Sequence, residues 1–254
     1  MEIVPGVHHI HEAKGPNVYL LVDEDLTLID AGYPGNGHIV AKYIEGLGRR
    51  VDELKRILIT HSHPDHTGSV SEIQELTHAQ VLVHSADTSL DGEGHHTVSY
   101  LNVFGAVPLP IPFLRKIVAD GFLEDEQVLP ILGGLKVIHT PGHTPGSVCF
   151  YLDSRKTIFL GDNVVNIGEY VGASVPFPKT DMKLYEKSLR KIAALDFDVA
   201  CLAHGEVFTE DADKRIRKML DWYLTMPIWQ RVFRTLPRIL RLGKRGGYRE
   251  HRLA

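Results

Sequence analysis

The sequence predicts a domain in which α-helices pack on β-sheets, and three observations support this fold class. Short runs of branched aliphatic residues, such as "RILIT" at 56–60, have the character of buried strands. Segments with helical spacing of apolar residues lie between them, and the two kinds alternate along the first 85 residues. A chain of 254 residues with 43% hydrophobic content can also form a substantial core.

The first half of the chain contains the regular part of this alternation. Residues 17–30, "NVYLLVDEDLTLID", predict two strands around an acidic turn. "GHIVAKYIEGLG" at 37–48 has an apolar helical face and ends in glycine. After the strand at 56–60, residues 69–79 predict a helix and "QVLVH" at 80–84 a strand.

The second half begins with an interruption, because residues 85–127 are rich in glycine, proline and large apolar groups and read as an insertion. Strands are then predicted by "LKVIHT", "SVCFYLD", "KTIFLGD" and "DVACLAHG", with a helix over 181–194. From 211 the pattern is helical, with a break near Pro227. We therefore expect a domain at 1–210 and a basic helical extension at 211–254 packed on it.

Composition and charge limit the partners and the cellular compartment that we expect. A net charge of −4 gives no reason to expect a nucleic-acid partner. Cys149 and Cys201 lie in apolar runs, which favours buried free thiols and a reducing compartment. The N-terminus has no signal-peptide pattern, and no apolar run reaches the roughly 20 residues that span a bilayer. A cytoplasmic location is expected.

Polar side chains crowd the end of the strand at 56–60, where "THSHPDHTG" places His61, His63, Asp65 and His66 within six positions. A loop that leaves a strand can turn several side chains to one point. Imidazole nitrogens and carboxylate oxygens suit a divalent metal such as zinc. Solvated loop histidines are the alternative, which is reasonable for one histidine but poor for this cluster.

Four further residues follow strands elsewhere in the chain: Asp30 in "IDAG", His143 in "TPGHTPGS", Asp162 in "GDN" and His204 in "AHG". The carboxyl ends of separate strands can share one rim, where α/β proteins build their sites. The series therefore predicts one metal site. His84 and His139 also lie near strand ends. Each is expected either to be a surface residue or to form a hydrogen bond to a metal ligand.

These motifs, in this order, resemble the metallo-β-lactamase-fold hydrolase superfamily, in its hydroxyacylglutathione hydrolase and lactonase-like branch. The resemblance implies a four-layer αβ/βα sandwich, with two mixed sheets face to face and helices outside. It also implies two metal ions, with zinc expected and iron, manganese or cobalt as alternatives. The implied ligands are His61, His63 and His143 for the first ion, Asp65, His66 and His204 for the second, and Asp162 as the bridge, with Asp30 in a supporting position.

The implied reaction is hydrolysis of a small ester, lactone or thioester by a hydroxide shared between the metals. Asp65 and Asp162 are the expected catalytic residues, with Asp65 orienting the hydroxide. Related lactonases carry a tyrosine soon after the bridging aspartate, and the nearest here is Tyr170. The alternatives are a redox enzyme with a single iron, and a non-catalytic binding or membrane-docking protein stabilised by metal.

Two segments are candidates for contacts with partners. Residues 97–118 are apolar, and Phe104 and Phe113 could cover the apolar tail of a small-molecule substrate, or pack on the sandwich or a second copy of the chain. Residues 228–245 combine an apolar stripe with arginines. That segment could dock on its own domain, form a homodimer contact or lie on an anionic membrane surface.

Overall fold

A computed structural model describes residues 1–100, 115–167, 170–174 and 180–227 of the chain. Its strands are β1 (Glu2–Val4), β2 (Val7–His9), β3 (Tyr19–Val22), β4 (Leu26–Ile29), β5 (Leu54–Leu58), β6 (Gln80–Val83), β7 (Thr88–Leu90), β8 (His96–Val98), β9 (Gly121–Phe122), β10 (Val128–Leu129), β11 (Leu135–His139), β12 (Val148–Leu152), β13 (Thr157–Phe159), β14 (Val165–Ile167), β15 (Tyr170–Gly172) and β16 (Val199–Cys201). Its α-helices are α1 (Gly37–Gly46), α2 (Pro64–Thr67), α3 (Val70–Thr77), α4 (Met182–Ala193) and α5 (Ala212–Thr225). Short 3-10 turns lie at Val51–Glu53, Ser85–Asp87, Asp153–Arg155 and Gly161–Asn163.

The strands of the first half form one mixed sheet in the order β1-β2-β3-β4-β5-β6-β9. Its first four strands pair antiparallel, whereas β4, β5, β6 and β9 run parallel to one another. The last of these strands comes from the end of the segment predicted as an insertion. Part of residues 85–127 therefore belongs to the sheet itself.

The strands of the second half form a second mixed sheet in the order β10-β11-β12-β13-β16. Only β13 and β16 are direct parallel neighbours among these five strands, and the other pairs are antiparallel. As a result β11, β13 and β16 all point the same way. The small pairs β7–β8 and β14–β15 lie outside both sheets.

Side-chain alternation along the strands separates the layers. In β3, Tyr19 and Leu21 point into a core between the two sheets, whereas Leu20 points to the opposite face. In β12, Phe150 points into the same inter-sheet core, and Cys149 points away from it. Each sheet thus buries one face against the other sheet and one face against helices.

The outer faces are covered by helices that bury their apolar stripes. Helices α1 and α3 contribute Val40, Ile44 and Ile73 to the core outside the first sheet. Helices α4 and α5 contribute Leu189 and Ile216 to the core outside the second sheet. The molecule is therefore the expected four-layer αβ/βα sandwich. No helix among the described residues is both long enough and apolar enough to cross a bilayer.

The helix predicted over 181–194 begins at a defined cap. The carboxylate of Asp181 accepts hydrogen bonds from the backbone N–H groups of Lys183 at 2.9 Å and Leu184 at 3.0 Å. The predicted strand at 56–60 is shifted, because β5 ends at Leu58. Beyond it, the backbone N–H of Thr60 donates to the Asp30 side chain, and its carbonyl accepts from Val148 of the other sheet.

Both cysteines are free and buried, as the sequence predicted. The last helix in the described part of the chain, α5, ends at Thr225, two residues before Pro227. Residues 228–245, and the predictions made for them, lie outside the described residues.

We expect Phe150→Ala to lower the free energy of unfolding by about 3–5 kcal/mol, because this fully buried ring fills the core between the sheets. Urea denaturation followed by circular dichroism measures the change. Val128→Ala is the control, since Val128 is 62% exposed and its truncation should cost less than about 0.5 kcal/mol. An equal effect of the two substitutions would contradict the assigned layers.

Candidate metal centre

Three histidines from the two sheets meet at one edge of the sandwich. His61 and His63 lie in the loop after β5, and His143 lies in the turn after β11. Nε2 of His143 is 3.2 Å from Nδ1 of His63, and the rings of His61 and His143 are 4.9 Å apart between centroids. All three are at most 2% exposed. We call them the three-histidine group.

A second group lies beside the first and is more open to solvent. Asp65 and His66 come from α2, and His204 follows β16. Nε2 of His204 is 3.4 Å from Oδ2 of Asp65, and Nε2 of His66 is 3.8 Å from the same oxygen. The side chains of Asp65 and His204 are 27% and 26% exposed. We call these three residues the aspartate-histidine group.

Asp162 stands between the two groups, in the 3-10 turn after β13. Its Oδ2 lies 3.4 Å from Nε2 of His143 and 3.9 Å from Nε2 of His61. Its Oδ1 lies 3.2 Å from Nε2 of His66 and 3.3 Å from Nε2 of His204. Each carboxylate oxygen therefore faces one group.

Asp30 lies beneath the aspartate-histidine group and is buried. Its Oδ2 accepts a hydrogen bond from Nδ1 of His66 at 2.7 Å. The backbone N–H and the hydroxyl of Thr60 both donate to the same carboxylate, at 2.8 Å. Because the Nδ1 proton of His66 is engaged in this way, its Nε2 points toward Asp162.

Thr60 connects Asp30 to the three-histidine group. Its hydroxyl proton is used on Asp30, so its oxygen is left to accept from Nδ1 of His61 at 3.0 Å. This contact selects the tautomer of His61 that carries its proton on Nδ1. The lone pair of Nε2 is then available for a metal ion.

The electrostatic environment holds His61 and His63 of the three-histidine group neutral. Burial places the pKa of His61 well below its usual value, and the neighbouring His66 and His63 add to this effect. Burial, together with the nearby His143, lowers the pKa of His63 to about 3. Neutral imidazole is the form that binds metal.

The other side of the centre carries proton-mediated ion pairs. Burial lowers the pKa of His66, but the carboxylates of Asp162, Asp30 and Asp65 outweigh it and place this pKa well above its usual value. For His204 burial is likewise outweighed, by Asp162 and Asp65, and its pKa rises to about 9. A cation bound here would displace those protons.

The donor set fits a divalent metal. In each of two sets of residues, one potential ligand atom per residue lies within 4.8 Å of the others. The sets are His61, His63, His143 and Asp162, and Asp65, His66 and His204. Nε2 of His61 is buried and makes no hydrogen bond to any described residue. Buried polar atoms are normally satisfied, so a cation is the expected partner. The cluster is thus suited to divalent metal ions.

Two asparagines that the sequence did not single out hold the His204 loop. The side chain of Asn17 donates to the carbonyl groups of Leu202 at 2.9 Å and Gly205 at 2.7 Å. The backbone N–H of Asn166 donates to the carbonyl of His204 at 2.8 Å. Partners 38 to 188 positions apart give no local signal. The one local signal is that Asn17 is a polar residue at the start of the predicted strand "NVYLL".

The remaining predicted residues are placed as follows. His84 and His139 stack on each other with ring centroids 3.9 Å apart, and Nε2 of His139 hydrogen-bonds the carbonyl of Pro145 in the His143 turn. Tyr170 begins β15, next to β14 in the segment that follows Asp162. Phe104 and Phe113 lie outside the described residues.

Fold and site together define a metal-binding αβ/βα sandwich protein. The family model described as "Metallo-beta-lactamase superfamily" matches residues 12–204, and the chain belongs to this superfamily. The resemblance drawn from the motifs is thereby confirmed.

Individual relatives agree with this assignment. Probable metallo-hydrolase YflN of Bacillus subtilis (strain 168) is 26% identical over 80% of this chain and 85% of its own length. A hydroxyacylglutathione hydrolase of Pelagibacter ubique (strain HTCC1062) is 29% identical over 70% of this chain and 61% of its own. The crystal structure of BJP-1, a subclass B3 metallo-beta-lactamase of Bradyrhizobium japonicum, matches the fold with a TM-score of 0.68 at 21% identity, over 94% of this chain and 95% of that one.

We expect Asp30→Asn to weaken metal binding at the aspartate-histidine group by roughly 10- to 100-fold. An amide has one oxygen, so its NH₂ group would face either the Thr60 N–H or the Nδ1 proton of His66. Asparagine also tolerates the left-handed backbone of Asp30, at φ 57°, so the backbone should be retained. Competition with a chromogenic chelator measures the affinity.

The matched control for this experiment is Asp52→Asn, at a carboxylate that is 55% exposed and remote from the centre. Its metal affinity should equal that of the unmodified protein. Unchanged affinity in Asp30→Asn would show that the hydrogen bond to His66 does not support metal binding.

Proposed function

We propose that this chain is a hydrolase that holds two divalent metal ions, with zinc as the first choice, and cleaves a small ester, lactone or thioester. The observation that carries the proposal is the position of Asp162. Its two oxygens face two separate groups of potential ligands, at 3.2–3.9 Å from their nitrogen atoms. One carboxylate shared in this way suits two cations side by side.

Under this proposal, the ligands of the first ion are His61, His63 and His143. The ligands of the second are Asp65, His66 and His204, with Asp162 shared. Bound divalent metals supply Lewis acidity, which lowers the pKa of water and polarises a carbonyl oxygen.

The protein side chains contribute orientation and proton transfer. Asp65 is partly exposed and lies next to His204, so its carboxylate can orient a water molecule at the open side of the centre and accept a proton from it. Asp162 and Asp30 keep the imidazoles of His143 and His66 directed inward. The burial of the three-histidine group excludes bulk water from that side.

Both the chemistry and the relatives support this substrate class. One similar protein is named a hydroxyacylglutathione hydrolase, whose substrate contains a thioester, and another is named a probable metallo-hydrolase. Esters, lactones and thioesters share an activated carbonyl carbon. A panel that varies the leaving group separates the three.

Elemental analysis combined with a substrate panel tests this function. We expect about two metal ions per chain in protein purified from metal-supplemented culture, and hydrolysis of at least one chromogenic ester, lactone or thioester. A chelator should abolish turnover, and added zinc or manganese should restore it.

Two other results would each replace the proposal. One iron per chain with oxygen uptake would indicate a redox enzyme. Tight binding to anionic vesicles, with bound metal but no turnover of any panel member, would indicate a non-catalytic docking protein.

Substitutions separate the two groups of ligands. We expect Asp162→Ala to lower the affinity for both ions, because each of its oxygens faces one group, and to reduce kcat at least about 100-fold. His204→Ala should weaken one ion only and leave the three-histidine group able to bind the other. Metal titration of the two variants gives the stoichiometry, and loss of both ions in His204→Ala would contradict two separate groups.

A further inference from the structure

Another buried carboxylate, Asp87, follows β6, whereas Asp30 follows β4, on the other side of β5 in the sheet. Asp87 ends the 3-10 turn Ser85–Asp87, which follows β6, and its side chain is fully buried. Its Oδ2 accepts hydrogen bonds from the backbone N–H of Ser62 at 2.8 Å and the hydroxyl of Thr144 at 2.7 Å. Its Oδ1 accepts from the backbone N–H of Gly146 at 2.7 Å.

The donors of these hydrogen bonds adjoin the metal-binding histidines. Ser62 lies between His61 and His63, and Thr144 follows His143 directly. One carboxylate thus joins the loop after β5, from the first sheet, to the turn after β11, from the second sheet. These two segments supply every member of the three-histidine group.

The local structure is shaped around this contact. A Cβ atom on Gly146 would lie 2.7 Å from Cβ of Asp87, so only glycine permits the turn to approach this closely. The Asp87 backbone is itself fixed, because its N–H donates to the carbonyl of His84 at 3.0 Å and its carbonyl accepts from Ser99 at 2.8 Å. The carboxylate therefore has little freedom to move away from its donors.

We propose that Asp87 is a positioning residue that sets the spacing of His61, His63 and His143 and thereby the metal affinity of the three-histidine group. The inference rests on the proposed metal-binding role of these histidines. It does not depend on which bond is hydrolysed. Asp87 accepts hydrogen bonds from residues adjacent to the histidines, so it acts through the segments that carry them.

Asparagine at this position would disrupt the arrangement without changing its size. If the amide oxygen takes the place of Oδ2, the NH₂ group faces the N–H of Gly146. If it takes the place of Oδ1, the NH₂ group faces the N–H of Ser62. Either orientation sets two donors against each other in a buried place, so one of the two segments must shift.

The experiment compares Asp87→Asn with the unmodified protein by chelator competition for zinc and by the visible absorption of the cobalt-loaded protein. We expect the affinity of one of the two ions to fall roughly 10- to 100-fold, with a changed cobalt spectrum. In a His204→Ala background the remaining ion should show the same loss, which assigns the effect to the three-histidine group. Asp52→Asn, at an exposed carboxylate, should change neither readout.

Thr144 offers a smaller perturbation of the same contact, should Asp87→Asn fail to fold. Thr144→Val removes one donor to Asp87 and should weaken the same ion, whereas Thr144→Ser keeps the hydroxyl and should retain the affinity. Unchanged zinc affinity and cobalt spectrum in Asp87→Asn, or equal affinities of the Val and Ser variants, would overturn the proposal. Metal-loaded protein that hydrolyses nothing would refute the proposed function alone.

Discussion

The structure depends on one constraint, the free-energy cost of burying imidazoles and carboxylates together with little access to water. His61, His63, His66, His143 and Asp162 are each at most 6% exposed. Such groups are stable there only if protons, hydrogen bonds or a cation balance them. Thr60 and Asp30 supply part of that balance through hydrogen bonds to His61 and His66.

The topology explains how residues far apart in sequence reach one place. β4, β5 and β6 run parallel, and their ends present Asp30, the histidine-rich loop and the turn with Asp87. β11, β13 and β16 run alike in the second sheet and present the other ligands. The two sheets pack face to face through Tyr19, Phe150 and their neighbours, so both rims meet at one edge.

The sequence predicted the residues that the structure brings together at the centre, because each lies in a polar motif close to the end of an apolar run. His61 after "RILIT" and Asp162 after "IFLG" are examples, and the order of the motifs indicated the family and the layers. The roles of Asn17 and Asp87 were not predicted, because each depends on a hydrogen-bond partner more than 50 positions away. The strand predicted at 56–60 was placed too late for a related reason, since Thr60 pairs with the Asp30 side chain and the other sheet rather than with its own ladder.

Asp30 and Asp87 are the two supporting carboxylates, and each supports a different group: Asp30 the aspartate-histidine group and Asp87 the three-histidine group. Asp30 hydrogen-bonds the side chain of a proposed ligand, His66, on the side where Asp65 and His204 remain about a quarter exposed. Asp87 holds backbone N–H groups and a hydroxyl beside the histidines, on the side where all three histidines are buried. The side open to solvent has its ligand fixed through the ring, whereas the closed side has its ligands fixed through the chain. Because the open side can exchange water, it is the side from which we propose that a small substrate reaches the centre.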